Sequence, residues 1–271
     1  MRAIIAGSGP LPVMLAKHLE QKGEKPLVIA IKHQAMPEEI TADHWVRLGA
    51  AGEMIRLLKT HHIKELVIIG KVTRPAMREL NPDATARKIL GKGLFNFFKG
   101  DDGLLRSIAN YIEKEAGIRL KAIQDFMPDL LPKAGLLAGT FKDEGIRQDI
   151  EKAQTILTTL SPHDIGQALV IEKGLILGIE AIEGTDALIK RSAGLLREHH
   201  QAILVKAPKL SQSNALDLPT IGLQTVELLV EHHFAGLAVA AGQTLMPQQA
   251  SMVALMEKYG KFIYAFEKKQ T

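Results

Sequence analysis

Gly7-Ser8-Gly9-Pro10-Leu11-Pro12 stands directly after the apolar run at 2–6 and ahead of a helical pattern. Glycines at such a junction let backbone amides approach a phosphate, and the N-terminus of the helix favours its charge. Gly70-Lys71-Val72-Thr73-Arg74-Pro75 follows another apolar run. Lys71 and Arg74 therefore fall at the carboxyl edge of a sheet, where open α/β sheets bind ligands. Lys99-Gly100-Asp101-Asp102-Gly103 precedes a helix that begins at Leu104 and stops at Gly117. One aspartate serves as the cap of that helix, and a pair of them suits a hard cation beside phosphates, or a ribose. In the second half Asp164, Glu180, Glu183 and Asp186 surround one predicted strand pair, and Thr185 or Asp186 is expected to cap the helix that follows. Lys206-Ala207-Pro208-Lys209 follows a strand, and Asp217-Leu218-Pro219 lies in a polar loop. Carboxylates and cations meeting at strand ends suit magnesium-assisted chemistry on phosphate, because Mg²⁺ takes oxygen ligands and shares them with its substrate.

Other chemistries fit less well. A chain with no cysteine has no disulfide, thiolate nucleophile or cysteine-held metal. The NAD fingerprint needs a third glycine where Pro12 stands, and an acid after the second strand where Lys32 and His33 stand. Lys32 leaves an NADP-dependent oxidoreductase as an alternative. The pairs His61-His62, His199-His200 and His232-His233 read as residues at helix C-termini, where positive charge is welcome. Ser211 and Ser213 lack a triad pattern around them. Of the 34 basic and 30 acidic residues, 20 and 15 lie in residues 1–131, which points to an anionic ligand for the first half. Aromatic residues are 4% of the chain, too few to interleave stacking rings with the cations, which disfavours nucleic acid.

The elements that must position these residues alternate in the first half. Strands are expected at 2–6, 26–31, 44–48, 65–70 and 118–123, with helices between them, a pattern of parallel sheet and crossover helices. The second half opens on a hairpin around Lys173-Gly174, followed by strands AILVKA, GLAVAAG and KFIYAF and helices TDALIKRSAGLLREHH, TVELLVEHH and QASMVALMEKYG. The expected architecture is α/β, a Rossmann-like parallel sheet over 1–131 and a mixed α/β domain over 132–271, divided near Pro128 to Gly135. Gly7, Gly9, Pro10 and Pro12 break the run that an export signal needs, and no apolar run reaches membrane-spanning length, so a cytoplasmic location is expected.

GSGPLP, KGDDGLLRSIA, DIGQALVIEKGLILGIEAIEGTDALI, LVKAPK and DLPTIG together resemble the UDP-2,3-diacylglucosamine pyrophosphatases of the LpxI type, end to end. The resemblance implies Mg²⁺-dependent hydrolysis of UDP-2,3-diacylglucosamine to UMP and lipid X in the lipid A synthesis of Gram-negative bacteria, with water attacking the β-phosphate. It implies a UDP-binding domain and a lipid X-binding domain with the substrate between them. Carried over by position, Gly7, Gly9, Pro10, Leu11, Lys71, Arg74, Gly100, Asp101 and Asp102 face UDP. Gln167, Glu183, Gly184, Thr185, Lys206, Lys209 and Gln212 face lipid X. Asp217 is the essential residue and the metal ligand. Relatives place an aspartate and an arginine before the DLP motif where this chain has Ser213 and Ala215, which leaves that loop's contacts open. A diacylated substrate also implies transient contact with the inner membrane surface, and a homodimer is a candidate assembly. A catalytically silent UDP-sugar-binding protein is the alternative from another class.

Overall fold

The computed structural model describes residues 1–72, 81–92, 101–197, 201–209 and 218–267, with the side chains of 89–92 and 101–107 left aside. Arg74, Gly100, Gln212, Ser213, Ala215, Asp217 and the His199-His200 pair lie outside the described residues. The chain divides into two compact units, the first running from Met1 to Pro128 and the second beginning at Asp129.

In the first unit five strands, β1 (Arg2–Ala6), β2 (Leu27–Ile31), β3 (His44–Val46), β4 (Glu65–Ile69) and β5 (Arg119–Leu120), form a sheet of order β3-β2-β1-β4-β5. Every pairing in it is parallel. All five residues of β2 and four of β1 are buried, as strands covered on both faces must be. The helices are α1 (Pro10–Gln21), α2 (Ala51–Thr60), α3 (Ala84–Lys92) and α4 (Asp101–Ala116). Met54, Leu57 and Leu58 of α2 and Ile112 of α4 pack with Ile5, Ile29 and Ile31 of the sheet, while Leu15 and Leu19 of α1 are buried as well. Asp83 starts α3, its Oδ1 accepting the Ala86 N–H at 2.7 Å, and its Oδ2 accepts Gly52 N–H of α2 at 2.8 Å. That carboxylate is thereby committed to structure. From β1 the chain steps outward to β3 and then returns to place β4 on the other side of β1, which makes the β1/β4 boundary the topological switch point.

The second unit holds β6 (Gly135–Ala138), α5 (Gly145–Leu160), β7 (Ala168–Glu172), β8 (Leu175–Ile179), α6 (Thr185–Ala193), β9 (Ile203–Lys206), α7 (Leu223–Glu231), β10 (Gly236–Ala240), α8 (Gln249–Lys258) and β11 (Phe262–Phe266). Its sheet has the order β6-β11-β10-β9-β7-β8. The β9, β10 and β11 strands are parallel, and β6, β7 and the β7–β8 hairpin pair antiparallel. Leu188, Ile189, Val226, Leu229, Met252 and Met256 bring α6, α7 and α8 onto one face. Ile146, Ile150, Ala153 and Leu157 bring α5 onto the other. Each fully buried aliphatic side chain of this kind contributes about 1.5–3 kcal/mol. The two-domain α/β architecture expected from the sequence is the one observed.

Three local expectations are corrected, and two elements, β6 and α5, are additional to those expected. Helix α6 ends at Ala193, not at the second histidine of its run, because Glu172, fully buried at the end of β7, accepts the backbone N–H of Arg197 at 3.0 Å and of Gln201 at 2.8 Å. A continued helix would bond those groups internally. The described part of helix α4 runs from Asp101, so both aspartates lie within the helix and not ahead of it. The residue capping α6 is Gly184, with no side-chain cap bond, so neither Thr185 nor Asp186 has that role. His61 and His232, by contrast, are the capping residues at the C-termini of α2 and α7.

Candidate functional site

In the first unit β1 and β4 run past the sheet edge side by side. Gly7 N–H donates to Ile69 O at 2.9 Å, and Ser8 and Lys71 exchange backbone bonds of 3.0 and 2.9 Å. The Ser8 hydroxyl adds a third bond to Lys71 O, at 3.0 Å. A Cβ on Gly7 would lie 2.6 Å from Lys71 O, and one on Gly70, whose φ is +107°, would lie 2.7 Å from Gly7 C. Both positions require glycine. Gly9, with φ 95° and ψ 178°, then opens α1 without a side-chain cap, and nothing lies within 4 Å of where its Cβ would be. Pro10 and Pro12 have no N–H, so Leu11 is the donor left among the first three helical positions. The switch point thus presents an open glycine turn, one helix N–H and the exposed Lys71.

The second unit repeats the motif with more donors. Gly184 has φ 82° and ψ 170°, opens α6 without a side-chain cap, and again has nothing within 4 Å of its missing Cβ. Backbone in that region is accessible to glycine almost alone. Thr185, Asp186 and Ala187 all carry N–H groups in the first turn. Lys206, the last residue of β9 and only 7% exposed, reaches this turn, its Nζ donating to Thr185 Oγ1 at 2.6 Å. The strand register sets this position: Lys206 lies opposite Ala168 of β7, and Ala207 N–H donates to Gln167 O at 3.0 Å. Lys209 pairs with Asp164 at 2.6 Å. Glu183 faces Arg191, with bonds of 3.1 and 2.9 Å, and Asp186 accepts the hydroxyl of Thr225 at 2.8 Å. Glu183's own backbone N–H and then the Arg191 guanidinium hold its carboxyl below the usual range.

The described residues thus bring Gln167, Gly184, Thr185 and Lys206 together in the second unit, and Gly7, Gly9, Pro10, Leu11 and Lys71 in the first. Glu180 is one of the four carboxylates that the sequence places around the strand pair, without a ligand role assigned to it. It is 7% exposed and accepts the Gln167 N–H at 2.7 Å and the Thr185 hydroxyl at 2.6 Å. Its signal was a carboxylate beside the EGTD turn with no capping duty. Among the described residues no three His, Asp or Glu side chains gather as a metal site. A recess of ≈ 370 Å³ lies at the opposite, amino-terminal edge of the first sheet, bordered by Arg2, Glu24, Lys64 and Glu65. Arg2 pairs there with Glu65 at 2.8 Å and with Glu24, and its bond holds the Glu65 carboxyl below the ordinary range. That recess lacks the glycine turns of the two carboxyl edges. Among the described residues no helix is long and apolar enough to cross a membrane.

Known families match the chain in two consecutive parts. Residues 1–130 match the LpxI N-terminal domain and residues 133–264 the LpxI C-terminal domain. A protein of Caulobacter vibrioides named UDP-2,3-diacylglucosamine pyrophosphatase LpxI is 33% identical over 270 residues, covering 96% of this chain and 95% of the relative. With both domain models matched in order and the relative aligned over nearly its whole length, the chain belongs to the LpxI family.

Proposed function

We propose that this protein hydrolyses the pyrophosphate of UDP-2,3-diacylglucosamine to UMP and lipid X, a step of lipid A synthesis. The observation that carries the proposal is the recurrence of an uncapped glycine turn at a helix N-terminus, beside a lysine, in each unit. A substrate with a nucleotide at one end and a sugar phosphate at the other needs an anion cradle for each. Gly7, Gly9, Pro10, Leu11 and Lys71, with Arg74, Gly100, Asp101 and Asp102, hold UDP in this reading. Gln167, Glu183, Gly184, Thr185, Lys206, Lys209 and Gln212 hold the glucosamine phosphate. Asp217 orients the attacking water. The water oxygen bonds to the β-phosphorus as one water proton passes to Asp217, the bond from that phosphorus to the bridging oxygen breaks, and the bridging oxygen leaves with UMP. Lysine and helix N–H groups neutralise the charge that develops on the phosphoryl oxygens.

The carboxylates of Asp101, Asp102 and Asp217 are the hard oxygen donors that Mg²⁺ prefers, and Asp217 is the residue assigned to hold it. When bound, the ion supplies Lewis-acid polarisation of the pyrophosphate. The diacylated substrate places the working enzyme in the cytoplasm, in transient contact with the inner membrane surface. Purified protein with UDP-2,3-diacylglucosamine is expected to release UMP and lipid X in the presence of Mg²⁺, and chelation with EDTA to lower the rate at least about 100-fold, reversibly. Equal rates with and without metal would refute the Mg²⁺ assignment. UDP binding without turnover would refute the hydrolase and favour a silent UDP-sugar-binding protein.

A further inference from the structure

The Glu180 carboxylate, one residue beyond β8, joins three elements. Its Oε2 accepts the backbone N–H of Gln167, which precedes β7, at 2.7 Å, and its Oε1 accepts the hydroxyl of Thr185, the first residue of α6, at 2.6 Å. The same hydroxyl oxygen receives Lys206 Nζ from the end of β9 at 2.6 Å. The hydrogens in this chain can be assigned from chemistry alone. An ammonium only donates, so Thr185 Oγ1 accepts from Lys206, and the one hydroxyl hydrogen then goes to Glu180. The backbone of Glu180 is anchored too, its N–H donating to Ala168 O at 2.8 Å. Gly166 is packed against it so closely that a Cβ there would lie 2.2 Å from Glu180 O. The carboxylate is therefore held rigidly, and its charge reaches a nearly buried ammonium through a single hydroxyl.

We infer that Glu180 is a positioning residue that aims the Lys206 ammonium at the sugar phosphate by fixing the orientation of Thr185. The inference rests on the reading of Lys206 as a phosphate-binding group. An ammonium that binds a phosphate must be aimed at it, and the direction of its N–H bonds is set by the acceptors around it. The Thr185 hydroxyl is one such acceptor, and the Glu180 carboxylate that takes its hydrogen fixes which way its lone pairs face.

The test is steady-state hydrolysis of UDP-2,3-diacylglucosamine by the full-length variants Glu180→Gln, Thr185→Val, Thr185→Ser and Lys206→Met, and the double variant Glu180→Gln/Lys206→Met, with thermal unfolding measured alongside. Lys206→Met is expected to lose about 100-fold in kcat, and Glu180→Gln and Thr185→Val about 10-fold each. Thr185→Ser, which keeps the hydroxyl, returns to within about threefold of the parent. The double variant is no slower than Lys206→Met, since a residue that acts through Lys206 has nothing left to act on. A Glu180→Gln loss that multiplies onto the Lys206→Met loss, or parent turnover by folded Glu180→Gln, overturns the inference. Should Glu180→Gln fail to fold, Thr185→Val and its double with Lys206→Met decide the same question, because they leave the Glu180–Gln167 bond in place. Parent turnover by Lys206→Met would refute instead the functional reading on which the inference depends.

Discussion

Asp217→Asn is expected to lose at least about 100-fold in turnover while UDP affinity stays close to that of the parent. The substitution keeps the size of the side chain and removes its charge, and an amide neither accepts a water proton nor serves a hard cation as a carboxylate does. Cleavage of phosphate bonds is slow enough in water that enzymes supply on the order of 15–20 kcal/mol of barrier lowering, much of it electrostatic. A group at the reacting centre therefore contributes to kcat and not to the binding of the distant uridine. The described residues that follow Asp217 have a fixed seat: Leu245 N–H donates to Pro219 O at 2.8 Å and Ile221 N–H to Leu245 O at 2.9 Å. Pro219 and Ile221 are thus anchored to the loop after β10. Rate measurements at saturating substrate, with UDP titration calorimetry, check the split. An asparagine variant within tenfold of parent turnover would remove Asp217 from the chemistry.

Gly70→Ala is expected to destabilise the protein by about 2–5 kcal/mol, the cost of a strained positive φ added to that of an overpacked contact. Its Cβ would meet the backbone of Gly7 at 2.7 Å, where no flexible side chain can move aside. The pair Gly7–Gly70 holds β1 and β4 together past the sheet edge, so the turn that carries Gly9 must shift, and UDP affinity is expected to fall at least about tenfold. Gly194 is the control. It has φ −70° and nothing within 4 Å of its missing Cβ, so alanine there is expected to leave stability unchanged to within about 1 kcal/mol. Urea unfolding and UDP titration of the two variants give both readouts. Equal stability of Gly70→Ala and Gly194→Ala would contradict the close approach of the two strands.

The parallel sheet of the first unit was legible because each strand is a short Ile- and Val-rich run between helical patterns, and burial on both faces leaves such a run no polar alternation. The hairpin was legible from Lys173-Gly174, both of which adopt positive φ, as a two-residue turn of the hairpin type requires. Helix α5 carries Ile146, Ile150, Ala153 and Leu157 at spacings of four, three and four, a helical signal that the sequence does contain. Strand β6 has no such signal. A four-residue edge strand after a proline reads as linker, and only its antiparallel pairing with β11, distant in sequence, makes it a strand. The end of α6 depended on Glu172, 25 residues before the N–H it receives from Arg197. No local pattern carries such information. The glycine turns of the site were visible as motifs, but the Glu180–Thr185–Lys206 chain joins residues from three elements and follows from strand register.

Hydrolysis at the sugar-side phosphorus is the central step proposed for this protein, and oxygen-18 water tests it. Purified protein, UDP-2,3-diacylglucosamine and Mg²⁺ are incubated in labelled water, and both products are weighed by mass spectrometry. One labelled oxygen is expected in the phosphate of lipid X and none in UMP. Label in UMP would contradict attack at the β-phosphorus, and the absence of both products from folded protein that binds UDP would contradict the hydrolase itself.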